Sequence, residues 1–214
     1  MPGKHHHEQL YRGEDQAAKI ADARITVCGA GALGSNLVDS LNRQGFTKLA
    51  VIDFDRVEEH NVSTQIYDEG DIGALKVDVL RNRVFRTTGI EIQTQAKELT
   101  NQNAAKLLRG ADIVVDTFDN TRSRQAVQDA VRSAKLTCLH AGLYEDYGEV
   151  IWDEQYRVPR DAGEDVCDYP LARNLVMLAV SVTCETLISF LCRDERQSWS
   201  ITLRDLCIRE LEGA

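Results

Sequence analysis

Gly29, Gly31 and Gly34 stand in a G-x-G-x-x-G turn, "GAGALG", directly after the apolar run "RITVC" and directly before a run with helical spacing. Glycines in that place let the backbone come close to a phosphate. The helix that opens behind them offers unpaired N–H groups and the positive end of its dipole. Asp53 follows 19 residues after Gly34, where a carboxylate at a strand end can accept hydrogen bonds from ribose hydroxyls. Together these residues point to a nucleotide site. On their own they fit an NAD(P)-dependent oxidoreductase as well as an adenylating enzyme, and glycines needed only for tight packing satisfy the same spacing.

The elements that must position this turn can be read from hydrophobic periodicity. Arg24 to Cys28 reads as a strand, Leu33, Leu37, Val38 and Leu41 recur at helical spacing, and "KLAVIDFD" (48–55) reads as the next strand. Strand, glycine turn, helix and strand make a right-handed βαβ unit. The alternation continues with a helix across Gly73 to Arg86, a strand near "EIQTQA", a short helix around "NAAKLLRG", a strand in "ADIVVDTF" and a helix from Thr121. This order predicts an α/β fold with a Rossmann-like, doubly wound, mostly parallel sheet. From Lys135 the texture changes to "LTCLHAGL", "YGEVIWDE" and "WSITLRDL", with a long helix from Leu171 to Cys192 among them. Extra C-terminal strands on one edge are expected there, with antiparallel pairing among the possibilities. One domain over 1–214 is predicted, with a helical N-terminal extension over about 8–22 and a crossover loop over about 154–170.

Composition narrows the function classes. The 25 Lys and Arg face 34 Asp and Glu, a formal charge of −9, so the surface repels a phosphate backbone and nucleic acid is not expected as a partner. No apolar segment follows the opening "MPGKHHHEQ", so no secretory signal is expected. The apolar run "NLVMLAVSVTC", bracketed by Arg173 and Glu185, is too short to span a bilayer and reads as a buried helix. A cytoplasmic protein without a membrane partner is the resulting expectation. His5, His6 and His7 are weak metal candidates. Six cysteines, at 28, 138, 167, 184, 192 and 207, contain no C-x-x-C pair, so neither a zinc site nor a disulfide framework is suggested.

The stretch "VIDFDRVEEHNVSTQ", Val51 to Gln65, separates the competing readings. "DFDRVEEHN" followed by "STQ" resembles the signature of the ubiquitin-activating and ThiF/MoeB/HesA-like superfamily, in which D-x-D-x-V and then N-x-x-R-Q follow a G-x-G-x-x-G-S turn. "DIGALKVDVL" sets Lys76 like the superfamily's lysine, and "DIVVDTFDNTRSR" resembles its D-x-x-D-N-x-x-x-R, giving Asp119, Asn120 and Arg124. The motifs keep the superfamily's order over about residues 10 to 125.

The resemblance implies ATP-dependent adenylation, with Mg²⁺, of the C-terminal carboxylate of a small ubiquitin-like or sulfur-carrier protein, releasing pyrophosphate from a homodimer. It implies that Gly29, Ala30, Gly31 and Gly34 lie along the nucleotide and that Asp53 meets the ribose. Asn61 and Lys76 would contact the phosphates. Asp119, followed by Asn120, would position Mg²⁺ near the α-phosphate, and Asp55 and Gln65 would hold the loop. Arg12 resembles an N-terminal arginine that reaches the triphosphate across the dimer. Cys167 resembles a loop cysteine that becomes linked to the activated partner, although Asp161, Glu164, Asp165 and Asp168 surround it and oppose a thiolate. The missing C-x-x-C pairs imply a member without structural zinc. One departure bears on activity: Thr64 stands where the N-x-x-R-Q arginine is expected, and a threonine cannot neutralise a triphosphate. Either another cation substitutes, or the chain is a catalytically weak nucleotide-binding module. An oxidoreductase would leave Lys76 and Asp119 unexplained.

Overall fold

The computed structural model describes residues 3–159 and 170–211. Helices α1 (His6–Arg12) and α2 (Glu14–Asp22) come first, broken at Gly13 with φ +82°. Then follow β1 (Arg24–Cys28), α3 (Ala32–Gln44) and β2 (Lys48–Ile52). After the 3-10 turns Glu59–Ser63 and Glu69–Asp71 come α4 (Lys76–Thr88), β3 (Gln93–Gln95), α5 (Ala104–Leu107), β4 (Ile113–Asp116) and α6 (Thr121–Ala134). The chain continues with β5 (Thr137–Tyr144), β6 (Tyr147–Trp152), α7 (Arg173–Arg193), β7 (Trp199–Thr202) and β8 (Cys207–Glu210).

All eight strands form one sheet in the order β3-β2-β1-β4-β5-β6-β7-β8. The first five in that order are parallel neighbours, with Val27 of β1 opposite both Val51 of β2 and Val115 of β4. β4 is buried along its whole length and β1 almost so, because helices cover both faces of the sheet. On one face, α3, α4 and α7 pack Leu37, Leu80 and Leu187 against the sheet. On the other, α6 sets Val127 and Val131 against Cys28 and Val114.

The C-terminal strands are present, with one strand more than expected. β5 pairs parallel to β4, and only from β6 onward is the pairing antiparallel. The two residues between Tyr144 and Tyr147 explain the reversal: Glu145 has φ +53°, and so short a turn can join only antiparallel neighbours. β8 has no counterpart in the sequence reading, because "CIRE" carries one strongly apolar residue. In this half Trp152 is fully buried, its ring 5.0 Å from Phe190 and 5.4 Å from the Arg196 guanidinium, while Trp199 of β7 is half-buried.

Boundaries moved for local reasons. β2 stops at Ile52 rather than Asp55, because the Asp55 N–H donates to the Asp53 carboxylate at 2.7 Å and turns the chain. Gly73, with φ +88°, lies in the turn before α4 rather than in the helix. The length argument applied to "NLVMLAVSVTC" fails, since α7 runs to 21 residues and is long and apolar enough to cross a bilayer. Its interior place follows from contacts instead: Leu175, Val176, Ala179, Val180, Cys184 and Leu187 are buried in the core beneath the sheet.

Candidate functional site

β1 is flanked by β2 and β4, so the connections leaving its two neighbours diverge at their C-terminal ends. Such a switch point in strand order opens a crevice at the carboxyl edge of a parallel sheet. The glycine turn leaves β1 there, Asp53 follows β2, and Asp119 lies three residues beyond β4.

The glycines serve different ends. Gly29 has φ +99°, and a Cβ there would lie 2.9 Å from Thr117 Oγ1. A Cβ on Gly34 would fall 2.0 Å from the Gly29 carbonyl oxygen. Both positions are therefore demanded by packing of the turn itself. A Cβ on Gly31 would meet nothing within 4 Å, so only this glycine opens onto free space. Ala30 is held from two sides: its N–H donates to Asp53 Oδ2 at 2.7 Å, and its carbonyl accepts from the Tyr67 hydroxyl at 2.8 Å. Asp53 thus braces the turn with one oxygen and the chain after β2 with the other, each retaining acceptor capacity. Burial raises its carboxyl above the ordinary range, outweighing the opposing pull of Lys76 and the amide donors.

Lys76 opens α4. Its backbone N–H donates to the Asp55 carbonyl at 3.0 Å, and its ammonium lies 3.4 Å from Asp55 Oδ2, with the side chain only 8 % exposed. Asp55 is half-exposed. A cation buried at the positive end of a helix is opposed by both desolvation and the dipole, and one long ion pair answers little of that.

Asn61, predicted to contact phosphate, is buried and spends its side-chain oxygen on the Glu58 N–H at 3.0 Å. Its carbonyl accepts from the N–H groups of Thr64 and Gln65. The Gln65 side-chain oxygen is buried without a hydrogen-bond partner among the described residues. The Thr64 carbonyl accepts from Asn36 Nδ2 at 2.9 Å, and Asn36 also donates to the carbonyl of Ala32 in the first turn of α3. The Asn61 turn is thereby tied to the start of the helix behind the glycines. Asp119 is exposed, and Asn120 caps α6 by accepting from the Ser123 N–H at 2.8 Å. Gly29, Ala30, Gly31, Gly34, Asp53, Asp55, Lys76, Asn61 and Gln65 thus form one hydrogen-bonded neighbourhood, with Asp119 and Asn120 at the end of β4 beside β1.

Arg12, also singled out from the sequence, lies apart from it. The Arg12 guanidinium is paired with Glu8 at 2.8 Å and Glu185 at 2.5 Å, and none of these contacts is with the crevice. Cys167 lies outside the described residues. Arg124 turns inward, donating to the Tyr156 hydroxyl at 2.8 Å and the Ala141 carbonyl at 2.9 Å.

Beneath the end of β4 lies a buried set of charges that no local pattern announces. Both ring nitrogens of His140 face carboxylates, Asp116 at 2.9 Å and Asp153 at 3.2 Å, and the ring stacks on Tyr156 with centroids 3.8 Å apart. Arg124 lies 3.5 Å from Asp116, and Arg132 donates to Asp153 at 2.8 Å. Tyr67, Asn36 and Arg173 also escaped the sequence reading, since each meets the site through partners at least 28 residues away.

Comparison with known proteins gives the same frame. The chain is 30% identical over 140 residues to the sulfur carrier protein adenylyltransferase of Thermus thermophilus, covering 64% of this chain and 52% of that one. It is 29% identical over 154 residues to the sulfur carrier protein ThiS adenylyltransferase of Bacillus subtilis, covering 69% and 46%. The chain therefore spans about half the length of the curated relatives it matches. The crystal structure of E. coli MccB with ATP shares its fold, with a TM-score of 0.80 at 18% identity, over 97% of this chain and 69% of that one. The model of the ThiF family matches residues 6–160, a span that holds the glycine turn, the Asn61 turn, Lys76 and Asp119 together, and the chain belongs to that family.

Proposed function

We propose that this protein uses ATP and Mg²⁺ to adenylate the C-terminal carboxylate of a small ubiquitin-like or sulfur-carrier protein. One observation carries the reading: Lys76 is buried at the N-terminus of α4, in the crevice, and among the described residues its one ion pair is with Asp55 at 3.4 Å. A polyphosphate is the kind of anion that supplies the missing charge. The free space at Gly31 and the exposed carboxylate of Asp119 suit the same ligand with a divalent cation.

In the reaction, a carboxylate oxygen of the partner attacks the α-phosphorus. An O–P bond forms, the bridging bond from the α-phosphorus to the β-phosphate breaks, and pyrophosphate leaves with the electron pair. Bringing two anions together and stabilising charge on the leaving group requires positioning and cations rather than an acid and base pair. Lys76 stabilises the leaving pyrophosphate, Asp53 orients the ribose, and Asp119 would hold Mg²⁺, which would supply positive charge to the phosphate oxygens. The named relatives, two of them adenylyltransferases of sulfur carriers, support this reading. A homodimer belongs to the same proposal, and in it Arg12 would exchange Glu8 and Glu185 for a triphosphate. Thr64 favours a second reading, a nucleotide-binding module that holds ATP without turnover.

ATP–pyrophosphate exchange with Mg²⁺, run with and without candidate ubiquitin-like proteins and beside an Asp119→Ala control, decides between them. Partner-dependent exchange that the control abolishes is expected. ATP binding without exchange for any candidate would favour the inert module.

A further inference from the structure

A guanidinium from a distant part of the chain reaches the turn that carries Thr64. Arg173, the first residue of α7, donates from Nη1 to the Thr64 carbonyl at 3.2 Å and to the Gln65 carbonyl at 3.4 Å. The Thr64 oxygen it shares is also bonded by Asn36, whose second acceptor is Ala32, next after Gly31. Arg173 is thus one shared acceptor away from the helix start behind the glycine turn.

We propose that Arg173 binds the polyphosphate in this crevice and supplies the positive charge that Thr64 does not; the inference rests on the ATP-dependent reading above. Carbonyl oxygens orient a guanidinium without neutralising it, and a guanidinium has five N–H donors, of which these contacts use the hydrogens of one nitrogen. Arg173 is exposed, so its remaining donors can meet a ligand. The demand is electrostatic. Lys76 stands between Asp53 and Asp55, which share its charge. Arg56, the nearest arginine in sequence, donates to the Gly73 carbonyl at 2.7 Å. A triphosphate that must leave as pyrophosphate needs a second cation, and Arg173 is hydrogen-bonded to the very turn where one is lacking.

The competing role is a clamp that merely ties the start of α7 to the turn. Calorimetric titration of ATP and of AMP, each with Mg²⁺, into the full chain and into Arg173→Ala, Arg173→Gln and Arg173→Ala/Thr64→Arg variants separates the two. If Arg173 binds polyphosphate, Arg173→Ala and Arg173→Gln both weaken ATP by about ten- to a hundredfold and leave AMP within about twofold, and Thr64→Arg restores ATP affinity. The inference is overturned if the variants bind ATP like the parent. It is equally overturned if ATP and AMP weaken together with recovery in Arg173→Gln, which keeps a donor for the carbonyls but no charge. A parent chain that binds no ATP sinks the adenylation reading and this inference together. A parent that binds ATP beside unaffected variants sinks this inference alone.

Discussion

Two groups of buried charges lie on either side of β1 in this sheet, and they are balanced in opposite ways. Around β4 and β5, burial disfavours ionised Asp116 and Asp153, yet pairing wins. Arg124 and His140 hold the Asp116 carboxyl below the ordinary range, and His140, Arg132 and Gln128 bring Asp153 down to about 2. Around β2 and α4, burial wins, and the Asp53 carboxyl is raised despite Lys76 and the amide donors. The first group is complete among its own side chains; the second is not. Buried charge alone does not mark a ligand site, and unmet demand around it does.

The largest effect should come from breaking the complete group. Asp116→Ala leaves Arg124 buried without its carboxylate and His140 with only one of its two, and a loss of about 3–5 kcal/mol in urea denaturation is expected. Lys76→Met is the counterpart. Its stability should stay within about 1 kcal/mol of the parent, while exchange falls about a hundredfold. Equal destabilisation by the two substitutions would erase the contrast. The glycines extend the comparison at smaller scale. Gly34→Ala forces a Cβ against the Gly29 carbonyl and should cost about 1–3 kcal/mol. Gly31→Ala should cost under about 1 kcal/mol yet weaken ATP in the titration.

The smallest expected effect is a dependence on pH. Burial disfavours the His140 imidazolium, but hydrogen bonds to Asp116 and Asp153 outweigh it and raise its pKa. Its stabilising contribution is therefore complete below the ordinary histidine value of about 6.5 and is lost as pH climbs through the raised one. Asp116 and Asp153, with lowered values, contribute above about pH 4 and lose that contribution as pH falls. The group stabilises most between about pH 4 and 6.5. Asp53 works the other way from the lowered acids: its raised carboxyl lets stability decline as pH rises past the ordinary carboxylate range. The readout is accordingly the difference between the parent and His140→Gln, whose urea midpoint should decline less above pH 6.5. Parallel curves for the two proteins would remove His140 from the account.

The two groups also differ in how far they could be read from sequence. The turn from Gly29 to Gly34, Asp53, Asn61 and Lys76 sit within short segments, and local patterns plus their order sufficed to place them in one crevice. The purpose of the glycines was not legible, because only the packing against Thr117 and the Gly29 carbonyl separates Gly34 from Gly31. Asp116, His140 and Asp153 are contributed by two strands and the turn after β6, up to 37 residues apart, and no periodicity links them. Arg173 is 109 residues from Thr64, so a cation bonded to the altered turn was invisible beside it. β8 failed for the opposite reason: it is an edge strand with mostly exposed residues, and its pairing with β7 rather than its composition makes it a strand.

Both tryptophans of the chain, Trp152 and Trp199, lie on β6 and β7. Intrinsic fluorescence is therefore an observer seated in the antiparallel half, reporting the environment around Phe190 and Arg196 rather than the crevice at β1 and β2. An emission change on adding nucleotide would be a message carried across the sheet, and silence would say only that the far side of the molecule had not been told.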